Sequence, residues 1–445
     1  MKIFFVSLGC DKNLVDSEKM LFLLQQEGFE LTDSEEEAEI IVINTCCFIH
    51  DAKEESIETI IEMARYKEEG QCKVLIVAGC LAQRYHKEIK EELPEVDGIV
   101  GTTAIDKIVD VIKEALEGKI SEQLQDLNVL PVRMNGRVNS SGSFTAYLKI
   151  AEGCNKCCTY CIIPKLRGKY RSVPMEELLE EAKELAAEGV SELILVAQET
   201  TLYGMDLYGE KKLPELLHEL CKIPDIKFVR VLYCYPEEIT EELAQTIKNE
   251  KKVCHYIDMP IQHCNDRILK RMGRRTNRKE LENKIELLRE IVPDIAIRTT
   301  LITGFPGETK QEHEELVEFV RDMKFDRLGV FTYSPEEDTK AADMDEQIDD
   351  AIKEERKDEL MNTQQNVVFD KNEKLIGHTF EVIVDGMIPE EGIYVGRTYM
   401  DIPDVDGCIF FEAPYEIISG TIVIVRVTDA KGYDLLGVLE GEVDD

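Results

Sequence analysis

The sequence predicts an α/β chain in three parts: an N-terminal parallel-sheet α/β domain, a central incomplete (βα)6 TIM-like barrel, and a small antiparallel β-barrel at the C-terminus. Three observations carry this reading. Over the first 120 residues, apolar runs that end in Cys alternate with amphipathic stretches, as buried parallel strands joined by helices do. Six further strand-like runs with helices between them fill about 230 residues, two units short of a full barrel. From Lys374 the pattern changes to short alternating strands separated by Gly turns.

The elements follow in order. In residues 1–120, KIFFVSLGC is a continuous apolar strand. Met20, Leu21, Leu23 and Leu24 then fall at helical spacing before Gly28. EIIVINTC is a second strand, a helix follows around Ile57 to Met63, and KVLIVAGC is a third strand. Segment 121–143 carries Asn135-Gly136 and Ser140-Ser141-Gly142 and reads as a linker. In residues 144–373 the six strands are TAYLKIAEG, ELILVAQE, KFVRVLY, CHYIDMP, IAIRTTLITG and RLGVFTYS. In residues 374–445, FEVIVDG, GTIVIVRV and YDLLGVL alternate with almost no helical pattern.

Bulk numbers exclude several classes. At about 150 residues per domain, 445 residues suit three domains, and 43% hydrophobic content excludes wholesale disorder. No run approaches the roughly 18 apolar residues of a membrane span. The start MKIFFVSLGC superficially resembles a lipoprotein signal, but its apolar run is too short and Ser7 sits where an aliphatic residue is wanted. A cytoplasmic protein without membrane attachment is expected. With 53 basic and 90 acidic residues the chain nets −37, so it repels a polyanion unless it carries a local basic patch. Its natural macromolecular partner is basic; selection for solubility accounts for the same charge. Fourteen Cys, about 3% of the chain, fall far below a disulfide scaffold. In a reducing compartment such thiols mean metal, catalysis or packing. The seven His form no HExxH pair, so any metal site should be rich in sulfur, which favours an iron–sulfur cluster or structural zinc.

Two cysteine sets carry the chemistry. Cys154, Cys158 and Cys161 form CxxxCxxC on the loop leaving the first barrel strand. Three close thiolates can hold three irons of a 4Fe-4S cube and leave the fourth open for an exogenous ligand. Barrel active sites lie at these C-terminal strand ends. The competing zinc knuckle wants four ligands, and no His lies nearby. Cys157 is the spare thiol. The second set is Cys10, Cys46 and Cys80, each ending one of the first domain's strands, at separations of 36 and 34 residues. Parallel strands gather their C-termini on one edge, where ligands bind, so these thiols meet without a local CxxC. The small neighbours in Leu8-Gly9-Cys10, Asn44-Thr45-Cys46 and Ala78-Gly79-Cys80 let backbone approach a cluster. Buried cysteine as a small hydrophobe is the competing reading, and it is kept for Cys72, Cys221, Cys234, Cys254, Cys264 and Cys408.

These motifs resemble a known family. CxxxCxxC opening a (βα)6 region is similar to the radical S-adenosylmethionine (SAM) enzymes. The three strand-end cysteines and a terminal barrel of the TRAM type narrow the resemblance to the methylthiotransferases. IIPKLRGKYRS, MPIQH, TGFPGET and TYSPEEDT belong to the same resemblance, which spans nearly the whole chain. After Cys10, Asp11-Lys12-Asn13-Leu14-Val15-Asp16-Ser17-Glu18 resembles the RimO branch, which modifies an aspartate of small-subunit ribosomal protein twelve. The tRNA-modifying MiaB branch has Gln-Met-Asn there. The sequence departs from the RimO pattern at Asp11, Cys47 and Cys157, where Pro, Gly and Arg are usual; Cys46 is preferred over Cys47 because it completes the Asn-Thr-Cys context. From Lys374 the chain has 4 basic and 15 acidic residues, whereas a tRNA-binding TRAM barrel should carry a basic surface.

The resemblance implies two 4Fe-4S clusters and two SAM per turnover. Cys154, Cys158 and Cys161 would hold the cluster whose open iron chelates SAM, and one-electron cleavage would yield a radical that takes hydrogen from the aspartate β-carbon. Cys10, Cys46 and Cys80 would hold the cluster that carries the sulfur. Gln198 and Glu199 would receive the SAM amino group, and Arg298 and Thr300 its carboxylate or ribose. Tyr160 either stacks on adenine or packs the loop. Lys165, Arg167, Lys169 and Arg171 either neutralise a carboxylate or form a solvated face. The expected partners are a basic ribosomal protein of the small subunit, free or on the ribosome, and an electron donor; tRNA is not expected. The alternatives are a tRNA adenosine methylthiotransferase and a non-enzymatic iron–sulfur carrier, which would need closed four-Cys coordination.

Overall fold

The computed structural model describes residues 1–130 and 136–442. Residues 131–135 of the expected linker, Asn135 among them, and 443–445 lie outside the described residues.

The N-terminal domain is one parallel sheet. Its strands are β1 (Lys2–Ser7), β2 (Glu30–Leu31), β3 (Ile40–Thr45), β4 (Val74–Ala78), β5 (Gly98–Val100) and β6 (Ser121–Gln123), in the order β2-β1-β3-β4-β5-β6. Every residue of β3 and β4 is buried, which is why both read as unbroken apolar runs. The strand β6 lies inside the segment read as a linker. It is an edge strand with one neighbour, so its Ser-Glu-Gln sequence lacks the apolar signal of the inner strands. The order reverses between β1 and β3, the position where open α/β sheets open a crevice at their C-terminal edge.

The central domain starts with a short ribbon beside the barrel. Strand β7 (Thr145–Lys149) is followed by β8 (Ala151–Glu152), which pairs antiparallel with β9 (Arg171–Ser172) and brackets the CxxxCxxC loop. Then β10 (Glu192–Val196) and β11 (Phe228–Val231) complete a parallel triplet with β7. A second parallel triplet is β12 (Tyr256–Asp258), β13 (Ala296–Thr303) and β14 (Arg327–Thr332). The triplets join where Val229 bridges Val253 and the Cys234 amide donates to the Asp258 carbonyl at 2.8 Å. Six parallel strands thus run around an incomplete barrel, with an open seam between β7 and β14. Helices Met175–Ala187, Leu213–Cys221, Glu241–Asn249, Arg278–Ile291 and Lys310–Met323 cover its outside, burying Leu178, Leu216, Leu243, Leu281 and Leu316 against the strands.

The C-terminal domain is a closed five-stranded barrel of β15 (Thr379–Ile388), β16 (Ile393–Arg397), β17 (Ile409–Glu412), β18 (Ile422–Lys431) and β19 (Asp434–Glu442). Four strand pairs are antiparallel and β17/β19 is parallel. The helix Asp350–Lys374 leads into it. Its segment around 398–406 closes the floor of the central barrel. Met400 and Ile402 pack with Ile194, Val196, Cys254 and Tyr256. Arg327 bonds Asp401, Arg397 bonds Glu192 at 2.9 Å, and Arg230 donates to the Tyr399 carbonyl.

The N-terminal domain lies across the seam. On one side Lys149 of β7 pairs with Asp16 in the helix Asp11–Gln26. On the other, just past β14, Arg84 donates to the Glu337 carbonyl at 2.7 Å and Tyr85 to the Glu337 carboxylate at 3.0 Å. Among the described residues no helix is long and apolar enough to cross a membrane.

Candidate active site

The first cysteine set sits at the crevice of the N-terminal sheet. Cys10 caps the helix Asp11–Gln26, Cys46 follows β3, and Cys80 lies in the first turn of the helix Gly79–Arg84. Two of the three therefore stand at helix N-termini, whose positive ends favour a thiolate. Burial pushes the Cys46 thiol up to about 12, with Cys80 and Cys10 raising it further. Burial raises Cys80 too, while the Arg167 guanidinium pulls it down. This mutual influence puts the three thiols in one neighbourhood. Cys47 is fully buried among Ile43, Leu75 and Val77, a packing position.

Glycine sets the approach. Gly9 has φ +94°, and a Cβ there would lie 2.7 Å from the Cys46 Cβ and 3.0 Å from its Sγ. Gly79 has φ +91°, and a Cβ would lie 2.3 Å from the Asn44 Oδ1. Both positions need φ > 0 and no side chain; Gly9 brings bare backbone against the Cys46 thiol, and Gly79 packs its backbone on Asn44 and Thr45 just before that thiol.

The second set lies on the loop between β8 and β9. The Lys156 amide reaches the Cys154 Sγ at 3.4 Å, and the Cys161 amide donates to the Cys158 carbonyl at 3.1 Å. Burial pushes Cys154 up to about 11 against the lowering effect of that amide, with Cys158 raising it further. Burial, then Cys158, Cys154 and Cys157, raise Cys161. Cys157 is exposed with φ +55°. Among the described residues no three His, Cys, Asp or Glu side chains converge on a single ion. A cube asks for something wider, three thiolates on three irons, and each set offers three thiols, the first beside the bare backbone of Gly9 and the second beside the Lys156 amide. The residues present fit that group.

Around the second set, several buried polar atoms have no hydrogen-bond partner within the chain: Gln198 Oε1, Glu199 Oε2, and Arg274 Nε and Nη1. They suit a polar ligand. Glu199 is fully buried, with Lys156 Nζ 3.7 Å from Oε2, and burial pushes its carboxyl up to about 7. Gln198 donates to Glu152 at 2.9 Å. Tyr160 packs against Ile268, Met272, Phe305 and Tyr333 at the foot of the loop. Thr300 is half-buried in mid-strand, and its carbonyl accepts from the Gln262 amide at 2.9 Å. Arg298 lies in the first half of β13, 3.0 Å from Asp258 and 3.6 Å from Asp406 of the terminal barrel. Two carboxylates hold its guanidinium toward the floor, where the expectation had it facing SAM.

The basic run divides. Lys165 faces Asp338 at 3.6 Å and is exposed. Arg171 donates to the Arg167 carbonyl at 3.1 Å. Arg167 is buried and joins both sites: it bonds Asp16 at 2.6 Å, Asn13 at 2.8 Å and Glu152 at 3.2 Å. Lys149 reaches Glu152 at 2.9 Å. Sequence reasoning missed this network, along with Lys12, Asp11 and Tyr233. The signal was present, because Asp11, Lys12, Asn13, Asp16, Ser17 and Glu18 are an unusual density of polar residues for a helix in a core.

Comparison with known proteins agrees with the geometry. Residues 2–101 match the model "Uncharacterized protein family UPF0004", residues 148–320 the radical SAM superfamily and residues 376–439 the TRAM domain. Among solved structures, the radical SAM methyltransferase TsrM from Kitasatospora setae covers 74% of this chain and 72% of its own at TM-score 0.53 and 15% identity. The cobalamin-dependent SAM radical enzyme OxsB covers 82% of this chain and 56% of its own at TM-score 0.52 and 14% identity. At these identities the likeness is one of fold. Fold and site together define a radical SAM enzyme, a class that takes SAM and a 4Fe-4S cluster. A protein of Lachnoclostridium phytofermentans named ribosomal protein uS12 methylthiotransferase RimO is 60% identical over 99% of this chain and 100% of its own length. Proteins of the same name from Clostridium botulinum strain Hall and Clostridioides difficile strain 630 are each 49% identical, over 100% and 98% of this chain and 99% and 98% of their own. The chain belongs to the RimO family of radical SAM methylthiotransferases.

Proposed function

We propose that this chain transfers a methylthio group to the β-carbon of an aspartate in ribosomal protein uS12, using two 4Fe-4S clusters and two SAM per turnover. The observation that carries it is the pair of three-thiol sets on facing domain edges, linked by the buried contacts of Arg167 with Asp16 and Glu152. The name of the 60% identical relative supports the substrate.

In this reading Cys154, Cys158 and Cys161 hold the cluster that binds SAM, and Cys10, Cys46 and Cys80 hold the second. When bound, cluster and SAM together supply one-electron chemistry able to activate a carbon–hydrogen bond. The chain's own residues do the rest. Glu199 and Gln198 offer acceptors to the SAM amino group, and Arg274 and Tyr160 stand beside the same loop. Arg298 and Thr300 line the lumen below. The packed floor and the covered seam exclude water from the barrel. Residues 1–120, 144–373 and 374–445 act as the three units. The working compartment is the cytoplasm, and the partners are the basic protein and an electron donor.

The acidic terminal barrel favours a basic protein over tRNA. The test is anaerobic reaction of the reconstituted enzyme with uS12 or small subunits, and separately with unmodified tRNA, read by mass spectrometry. A methylthio mass shift on uS12 is expected; transfer to tRNA with uS12 untouched would overturn the reading.

A further inference from the structure

Two residues beyond Cys10, the chain buries an ammonium. Lys12 is 7% exposed and lies between the two domains. Its Nζ stands 3.3 Å over the centroid of the Tyr233 ring and 3.2 Å from Asp11 Oδ1. The Tyr233 hydroxyl donates to that same Oδ1 at 3.0 Å. Asp11 Oδ2 is buried without a hydrogen-bond partner. Tyr233 follows β11 at its C-terminal end with φ +59°, and its amide donates to Asp258 at 3.0 Å. A carboxylate of the chain is thus held by one ammonium and one phenol, beside an exposed Cys10, and the Tyr233 ring packs against the lumen cluster that holds Met400 and Ile402.

Burying an ammonium is costly unless it is paired. Structural packing would be served by an apolar residue here at lower cost. An ammonium has three donors, and Asp11 meets this one as an ion pair at 3.2 Å. The substrate in the reading above presents a carboxylate one bond from the carbon to be modified. That carbon must come close to the first cysteine set, which Lys12 adjoins.

We propose that Lys12 and Tyr233 form the seat for the substrate aspartate's carboxylate, and that Asp11 occupies the seat until substrate displaces it. The inference rests on the proposed substrate. It makes Lys12 a binding residue that reads charge, and Asp11 an internal competitor. The two residues therefore act on affinity in opposite directions. Removing Lys12 loses a charge-assisted contact with the substrate. Removing the Asp11 charge frees the ammonium for it.

The test uses the reconstituted enzyme and two uS12 substrates, one with the target aspartate and one with asparagine there. Binding is read by calorimetry and KM from methylthio transfer. The wild type should bind the aspartate form on the order of tenfold tighter than the asparagine form. Lys12→Gln should raise KM for the aspartate form by a similar factor and remove the discrimination, while Lys12→Arg should restore part of it. Asp11→Asn should lower KM. If both neutral variants move KM in the same direction, or discrimination survives Lys12→Gln, the seat is overturned. If Lys12→Gln fails to fold or load iron, Asp11→Asn decides alone, and weaker or unchanged binding overturns the inference. A wild type that neither binds nor modifies uS12 overturns the proposed function instead.

Discussion

Arg167 and Asp16 meet at 2.6 Å between the central barrel and the N-terminal domain, and both are almost wholly buried. Arg167 comes from the short helix Ile163–Arg167 just after the CxxxCxxC loop, and Asp16 from the helix that Cys10 caps. One guanidinium therefore ties the two cysteine sets into a fixed relation. Its further contacts with Asn13 and Glu152 come from two nitrogens of one planar fork, a fixed geometry that the single ammonium of a lysine does not offer.

Arg167→Met should accordingly be severe. It leaves the Asp16 and Glu152 carboxylates buried with only Lys149 between them. Removing one partner of a buried ion pair costs about 3–5 kcal/mol. Chemical denaturation of the iron-free protein should show a lower midpoint, with the N-terminal domain and the barrel unfolding in separate steps. An unchanged single transition would show that the network does not couple the domains.

Much of this was legible in the sequence, for a clear reason. Strand-end cysteines at one βα period are a local pattern, and so is CxxxCxxC. All six central strands, with their positions, follow from apolar runs. The coupling of Arg167 to Asp16 joins residues 151 apart, and no periodicity reports it. The strand β5 was missed because its three residues begin with Gly98, β6 because Ser-Glu-Gln carries no apolar signal, β16 because Gly396 interrupts its alternation, and β17 because it has only four residues. Arg298 looked free on its strand because the carboxylate of Asp406 arrives from another domain.

Cluster loading offers a count. The reconstituted protein should hold about eight irons as two cubes. Changing Cys154, Cys158 and Cys161 together to Ala should leave about half. Removing Cys10, Cys46 and Cys80 instead should also leave half, yet retain reductive SAM cleavage while abolishing sulfur transfer. Full iron retention in the first variant, or zinc in place of iron, contradicts the assignment.

A buried histidine should shape acid stability. His263 is fully buried, its Nδ1 accepts from the Asn265 amide at 3.0 Å, and burial pushes it down to about 3. A folded value below the ordinary 6.5 means that the unfolded chain binds the proton more readily. The stability contributed is present above about pH 6.5 and is lost as pH falls toward about 3. His263→Gln keeps an acceptor for Asn265 and removes the titration. Its stability should fall less steeply over that window, by on the order of a few kcal/mol. Parallel pH profiles for the two proteins would dismiss the histidine.

The terminal barrel should steer a basic partner. Glu390, Glu391 and Asp404 are exposed, whereas Asp406 is occupied by the Ile402 amide at 3.1 Å and lies near Arg298. Neutralising Glu390, Glu391 and Asp404 to Gln or Asn should slow association with uS12 at low salt and leave the rate at high salt little changed. Stopped-flow rates across an ionic-strength series decide it. Equal rates at all salts would remove steering from the account.

The terminal barrel's segment around Met400 and Ile402 also sets the order of events. A tube stoppered below and shuttered along its side has one doorway. A protein substrate seated there would bar a small cofactor from the lumen, so SAM is expected to load first, and its association should slow when uS12 is already bound.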